Sequence, residues 1–273
     1  MELVTSFLYQ VVFTVGVIVL FGLFIALCRR GFCRLVGRAG PTILLITGAV
    51  GTPIHELSHA LMCVIFGHKI DKIKLYQPNS KDGTLGYVSH SFNRKNLYHR
   101  IGTFFIGVAP IIGGSGAILL LMALMLPDMS TSVWQNIGQV EGLYFQEFNL
   151  AAVCEFLIMA WKVFLCVFDL SYVGSAVWWI FIILALMISS HMELSPADIK
   201  NGVGGFLLLL LLMLAVDAVI FFVYRPALAT VTLALVSFGL ALASFLLISW
   251  IFGLVMVFIA LIIKGIRSIF TRK

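Results

Sequence analysis

Long apolar runs are the feature that most limits how this chain can fold. Each is long enough to cross a bilayer, and they lie at about 5–28, 42–66, 101–126, 150–168, 172–190, 203–224 and 226–263. A helix crosses the hydrocarbon core with about 20 residues. Backbone polar groups in lipid must be hydrogen-bonded within their own segment, and the chain shows no series of short alternating strands. The runs are therefore predicted to be helices.

The last run contains no charged residue and is about twice as long as one span requires. It is therefore predicted to form two helices joined by a tight turn near Ser244 to Ser249. The count becomes seven or eight transmembrane helices. The predicted fold class is an all-α polytopic membrane protein, multi-pass in the cell membrane, with a single domain over residues 1–273.

Composition supports a membrane setting over a soluble one. Of the 273 residues, 61% are hydrophobic and 11% are charged, whereas soluble domains carry about a quarter charged residues. The formal net charge of +6 could suggest nucleic acid, but no zinc-finger or RNA-binding signature accompanies it. Basic residues that flank membrane spans and contact anionic headgroups explain it better. The predicted partner is the lipid bilayer, and no nucleic acid is expected.

The connection 68–100 is the most basic polar segment, with seven Lys or Arg against Asp71 and Asp82. The positive-inside rule places it and the tail after 263 in the cytoplasm, and the acidic connection 127–150 outside. The rule also places the arginines of 29–38 inside, which a single crossing between 42 and 66 cannot satisfy. Residues 71–75 and 85–92 are β-prone and flank the turn signal Asp82-Gly83, so a small β-hairpin or sheet is predicted here.

A metal-binding pattern lies inside the second apolar run, where His55-Glu56-Leu-Ser-His59 reads H-E-x-x-H. Positions i and i+4 of a helix share a face, so His55 and His59 can present two imidazoles to one zinc ion. Glu56 can then act as general base toward a metal-bound water. Ionisable residues inside an apolar helix are costly and mark functional sites, which favours a zinc site over a chance match.

A catalytic zinc site needs a third protein ligand. The polar segment between the runs 172–190 and 203–224 supplies three candidates, His191, Glu193 and Asp198. The same segment could instead be an ordinary interfacial loop, with Ser195-Pro196 starting the next helix and Asp198 in its first turn. Asp217 lies alone in an apolar run and is predicted to be an inter-helix partner or an interfacial residue rather than a ligand.

These residues resemble the site-2 protease family of intramembrane zinc metalloproteases. The resemblance includes His55 to His59 in a membrane helix, the β-prone segment with Gly86-Tyr87-Val88, and Gly107-Val-Ala-Pro110 in the next span. That family takes its third ligand from an aspartate in a P-x-D-G setting. Pro196-Ala-Asp198 resembles that setting, although Ile199 stands in place of the glycine. His191 and Glu193 remain alternatives.

The resemblance implies a helical core that holds zinc below the membrane surface and hydrolyses peptide bonds of single-span membrane proteins. The segment 85–92, with Gly86, Tyr87 and Val88, would bind such a substrate by β-addition. The alternative is a non-enzymatic membrane protein, either a metal transporter or an inactive scaffold derived from a protease. Glu56 favours the enzyme, because a transporter needs ligands but no base beside the first histidine.

Overall fold

The computed structural model describes residues 2–81, 83–141 and 150–271. These residues are mostly helical, with α1 (Glu2–Val11), α2 (Val17–Val36), α3 (Gly40–Ile65), α4 (Leu97–Met125), α5 (Pro127–Glu141), α6 (Leu150–Val167), α7 (Ala176–Ser189), α8 (Pro196–Val223) and α9 (Pro226–Thr271). Two strands, β1 (Lys69–Lys74) and β2 (Tyr87–Ser91), lie between α3 and α4. A π-helical turn, Val12–Gly16, continues α1 into α2.

Four helical stretches of the described chain are long and apolar enough to cross a membrane: Leu3–Ile65, Leu97–Met125, Pro196–Val223 and Pro226–Ile266. The first contains two of the predicted spans. Between them Gly37 has a φ of 59°, in the left-handed region that commonly ends a helix at glycine. Helix α7 is apolar but has only 14 residues. The helical class is confirmed, and the count of seven or eight spans stays a prediction.

The predicted turn near Ser244 to Ser249 is wrong, because α9 runs unbroken over 46 residues. Its serines are compatible with a helix interior. The Ser244 hydroxyl donates to the carbonyl of Leu240 at 3.0 Å, one turn earlier in the same helix. Ser249 is fully buried and shares a 2.9 Å hydrogen bond with Ser115. The turn was predicted only from the length of the apolar run, and the hydrogen bonds of Ser244 and Ser249 do not require a break in the helix.

The predicted connection 127–150 is helical in its first part, since α5 covers Pro127–Glu141, while residues 142–149 lie outside the described residues. The predicted sheet is confirmed. Strands β1 and β2 are antiparallel, pair Ile73 with Val88, and have an irregularity between Ile70 and Lys72. Asp82 of the predicted turn also lies outside the described part, and the neighbouring Gly83 has a φ of 76°.

The chain forms two compact units. One comprises residues up to Phe21, Leu119–Phe181 and Leu207–Ile248. The other comprises Gly22–Ile118, Ile182–Phe206 and the chain from Ser249 onward. The second unit contains the H-E-x-x-H pattern, the sheet and the polar segment 190–198. One of its apolar clusters joins four helices through Phe32, Val36, Ile43, Leu186, Met256 and Ala260.

Candidate metal centre

Helix α3 brings His55 and His59 together on one face, as their spacing predicts. The two Nε2 atoms are 3.2 Å apart, and the rings meet edge to face with centroids separated by 4.9 Å. Helix α3 continues through Pro53, so both histidines belong to one uninterrupted helix. The rigid i,i+4 geometry of that helix therefore sets the spacing of the two rings.

Each histidine is oriented by a backbone carbonyl from another part of the unit. The Nδ1 of His55 donates to the carbonyl of His191 at 2.6 Å, and the Nδ1 of His59 donates to the carbonyl of Ile106 at 2.7 Å. A hydrogen bond of this kind assigns the proton to Nδ1 and fixes the ring plane. Both Nε2 atoms are then left with lone pairs.

This arrangement fits a bound cation. Two Nε2 lone pairs 3.2 Å apart cannot hydrogen-bond to each other when both protons are on Nδ1. Two nitrogens bound to one tetrahedral zinc at about 2.0–2.1 Å would be separated by about 3.3 Å. The observed separation is close to that value, so the histidines are already spaced for a shared metal ion.

Asp198 supplies the carboxylate of the same group. Its Oδ1 is 3.4 Å from the Nε2 of His59, and the ligand atoms of His55, His59 and Asp198 all lie within 4.8 Å of one another. The other oxygen, Oδ2, accepts a hydrogen bond from the Ser195 amide at 2.8 Å. The Ser195 hydroxyl accepts one from the Asp198 amide at 3.1 Å. This reciprocal pair is a capping box at the start of α8, so helix capping and orientation of the carboxylate share one set of contacts.

The other two candidate ligands make different contacts. Glu193 pairs with Arg29, and its second oxygen is 3.7 Å from the Nε of Arg30. The His191 ring lies against Thr47, with its Nε2 3.0 Å from the hydroxyl. Burial and the nearby Arg29 guanidinium lower the pKa of His191 to about 4, so its ring is neutral near pH 7. His191 contributes its carbonyl to His55 rather than its ring to the ligand group.

Glycines allow these segments to approach closely. A methyl group built on Gly51 of α3 would collide with the carbonyl of Met187 and the ring of His191. One on Gly107 of α4 would lie 2.8 Å from the carbonyl of Asp198. Small residues at both positions therefore let the segment before α8, and α8 itself, reach the histidines of α3.

Glu56 lies next to His55 and is only 5% exposed. It packs beneath Gly86, the residue before β2: a methyl group on Gly86 would be 2.8 Å from the Cγ of Glu56 and 2.7 Å from Thr52. The Asp198 carboxylate is near enough to Glu56 to interact with it electrostatically. Tyr87 is exposed and Val88 is half-buried in β2. The predicted base and the predicted substrate-binding segment are therefore adjacent.

Several residues around this group, apart from His191, were not among the predicted site residues. Ile106 acts through its backbone carbonyl, which no side-chain pattern reveals. Arg29 lies far away in sequence, in α2, and its contact with Glu193 could not be inferred from spacing. Of these residues, only Ser195 could be recognised from the sequence, because a serine three residues before an aspartate is a capping pattern.

No protein-family model, curated protein or solved structure matches this chain. The resemblance to site-2 proteases therefore stays a prediction based on the quoted residues.

Proposed function

We propose that this chain is an intramembrane zinc metalloprotease that hydrolyses peptide bonds of membrane-protein substrates. The observation that carries the proposal is the convergence of His55, His59 and Asp198, with both Nδ1 atoms bonded to carbonyls and both Nε2 lone pairs directed into the same space. Two imidazoles and a carboxylate are the ligand set of several catalytic zinc sites.

His55, His59 and Asp198 would hold the ion. Zinc, when bound, supplies Lewis-acid polarisation of a carbonyl and lowers the pKa of water toward neutrality. The carbonyls of His191 and Ile106 keep the two rings in the tautomer that binds metal. Ser195 holds the carboxylate of Asp198 at the start of α8.

Glu56 acts as the general base. Its carboxylate accepts a proton from the attacking water, and it can return that proton to the leaving amine. Its burial favours this role, because electrostatic interactions are stronger in a site from which bulk water is largely excluded.

The substrate backbone is proposed to pair with β2. This strand pairs with β1 along one edge, and its other edge pairs with no strand among the residues that the structure describes. Gly86 has no side chain to keep a peptide away from Glu56. An extended segment added beside Tyr87 and Val88 would therefore pass close to the base. The transmembrane helix of a single-span substrate would need to unwind locally to do so.

The decisive experiment compares Glu56→Gln with the wild-type protein on a set of quenched-fluorescence single-span transmembrane peptides. The amide keeps the shape of the side chain but cannot accept a proton, so hydrolysis should fall by about 10²–10⁴-fold. Zinc content, measured by mass spectrometry of the purified protein, should remain at the wild-type level because Glu56 is outside the ligand group.

Two outcomes would contradict the proposal. Wild-type hydrolysis by Glu56→Gln would exclude Glu56 as the base. Zinc uptake into proteoliposomes by both proteins, with no peptide cleavage by either, would instead identify a transporter.

A further inference from the structure

The short segment 191–193 follows α7 and contacts several helices of its compact unit. The ring of His191 lies against α3, with its Nε2 3.0 Å from the hydroxyl of Thr47. Met192 is 2% exposed and packs against α4, where a methyl group on Gly114 would lie 2.6 Å from its Cγ. The first two residues of the segment are therefore held by two different helices.

The third residue of the segment, Glu193, is held by α2. Its carboxylate pairs with the guanidinium of Arg29, and its second oxygen is 3.7 Å from the Nε of Arg30. The side chains of Glu193 and Arg29 are 15% and 31% exposed, whereas that of Arg30 is 65% exposed. Water therefore competes less for the pair with Arg29 than for the contact with Arg30, which makes Arg29 the principal partner.

Stability of the fold does not by itself account for the pair of Arg29 and Glu193. The Nε of Arg29 is buried and has no hydrogen-bond partner among the described residues. A buried polar group without a partner is unfavourable, and replacing a buried ion pair with apolar side chains is often neutral or stabilising. The pair is better explained by the group that it holds in place.

That group is the carbonyl that orients the metal centre, two residues before Glu193. The carbonyl of His191 accepts the 2.6 Å hydrogen bond from Nδ1 of His55, and this bond leaves the Nε2 lone pair free for a cation. A shift of about 1 Å would lengthen the bond beyond the usual range of about 2.7–3.2 Å. Arg29 is also near enough to the His55 ring to interact with it electrostatically. Fixing Glu193 therefore fixes the carbonyl and, through it, the ring.

We propose that Arg29 is a positioning residue for the metal centre: through Glu193 it holds the His191 carbonyl against Nδ1 of His55 and so fixes the tautomer that binds metal. Arg29 itself lies outside the ligand group. The inference rests on the proposed function in taking His55 as a zinc ligand, but the orientation of the His55 ring is a property of the metal-free protein as well.

The first test follows the tautomer of His55 in the metal-free, full-length chain. The protein is labelled with isotopic nitrogen in its histidines, and nitrogen NMR in detergent micelles distinguishes a proton on Nδ1 from one on Nε2. The His55 signals are identified by their loss in His55→Gln. The wild type should have the proton on Nδ1, whereas Arg29→Gln and Glu193→Gln should both show a mixture of tautomers, because the carbonyl is no longer held.

Arg30→Gln is the matched control for this measurement. It removes the same charge from the adjacent residue of the same helix and should keep the wild-type tautomer. Arg29→Lys keeps the charge of Arg29 but loses its paired donors, so it should fall between the wild type and Arg29→Gln.

The second test measures zinc affinity by competition with a chelator. Changes to groups that orient a metal ligand cost about 10–100-fold in affinity, so Arg29→Gln and Glu193→Gln should each weaken zinc binding by about that factor. Combining them should add little, because both remove the same contact. Arg30→Gln should change the affinity by less than about fivefold, as expected for an exposed ion pair.

Three results would overturn the proposal. An unchanged His55 tautomer in Arg29→Gln and Glu193→Gln, with or without a loss of stability, would show that the pair does not hold the carbonyl. Opposite changes of zinc affinity in these two variants would show that the charge of Arg29 acts directly at the metal centre. Equal losses of affinity in Arg29→Gln and Arg30→Gln would leave net charge as the cause. A wild type that binds no zinc would contradict the proposed function, while the tautomer measurement, which needs no metal, would still decide whether Arg29 positions His55.

Discussion

Helix α8 contains two aspartates in contrasting surroundings. Asp198, in the first turn, is 18% exposed, with Oδ2 on the Ser195 amide and Oδ1 3.4 Å from the Nε2 of His59. Asp217, well inside the helix, is 1% exposed. Its Oδ1 accepts a 3.0 Å hydrogen bond from Gln10, and its Oδ2 has no hydrogen-bond partner in the described part of the chain. The same amide of Gln10 also donates to Thr232.

The surroundings of each carboxylate decide which role it can have. Asp198 has one oxygen held by the backbone and the other directed toward imidazole lone pairs, which is an arrangement that a cation completes. Asp217 has a single amide donor and lacks the hydrogen bonds that an ionised buried carboxylate requires. It is the only buried residue between 206 and 223, all of which the structure describes. Asp217 therefore joins α8 to α1, which is the first of the two roles predicted for it, an inter-helix partner or an interfacial residue.

The largest expected effect is a loss of zinc affinity, and it is tested by replacing each of the two aspartates in turn with asparagine. Asp198→Asn removes a ligand and should weaken zinc binding by more than about 100-fold, since changes outside the ligand group already cost about 10–100-fold. Asp217→Asn is the matched control on the same helix and should retain one zinc per chain. Zinc content and affinity are measured on both purified proteins. Full zinc binding by Asp198→Asn, or loss in Asp217→Asn, would reverse the roles assigned to the two residues.

A smaller effect is expected from the partner of Asp217. Gln10→Ala leaves a buried carboxylate without its donor, so the free energy of unfolding should fall by about 1–3 kcal/mol. Adding Asp217→Ala should recover part of the loss, because the unpaired group is then also removed. Unfolding in mixed detergent micelles gives these values, and zinc content should not change. An unchanged stability in Gln10→Ala would mean that Asp217 does not hold α8 in place.

The smallest effect concerns the cap that orients Asp198. Ser195→Ala removes the hydroxyl that accepts from the Asp198 amide, while the bond from the Ser195 amide to Oδ2 remains. The expected cost is about 1 kcal/mol of stability, and zinc affinity should fall by no more than about tenfold. Ser195→Thr keeps the cap and serves as control. A loss of stability without any loss of affinity would show that the cap holds the helix but not the ligand.

The histidine pair was predictable because its geometry is local. The i,i+4 spacing determines that His55 and His59 share a face, and the structure brings them together. Spacing did not determine which residue joins the two histidines as the third candidate ligand, since His191, Glu193 and Asp198 are all close in sequence and chemically suitable. Contacts with distant residues distinguish them: Arg29 pairs with Glu193, and Thr47 lies against the His191 ring. A single sequence does not reveal such long-range partners.

The presence of the helices and the sheet was predictable from apolar runs and β-prone alternation, but the residues at which helices begin and end were harder to predict. Helix α9 shows the reason. The prediction assumed that a helix matches the thickness of the membrane, whereas hydrogen bonding along the backbone sets no upper limit on length. Helix α5 was missed because its residues are polar enough to suggest a loop.

The exposure of α8 has a consequence for the metal centre. Its apolar part, 203–223, has 21 residues and would extend about 32 Å at 1.5 Å per residue, close to the roughly 30 Å of a hydrocarbon core. In the proposed membrane setting, a thinner or thicker bilayer would create a mismatch, which is relieved by tilting the helix or by deforming the bilayer around it. Because Asp198 lies in the first turn, its approach to the histidines would then depend on acyl-chain length. The lipid composition of a membrane would thereby adjust the alignment of the proposed ligand.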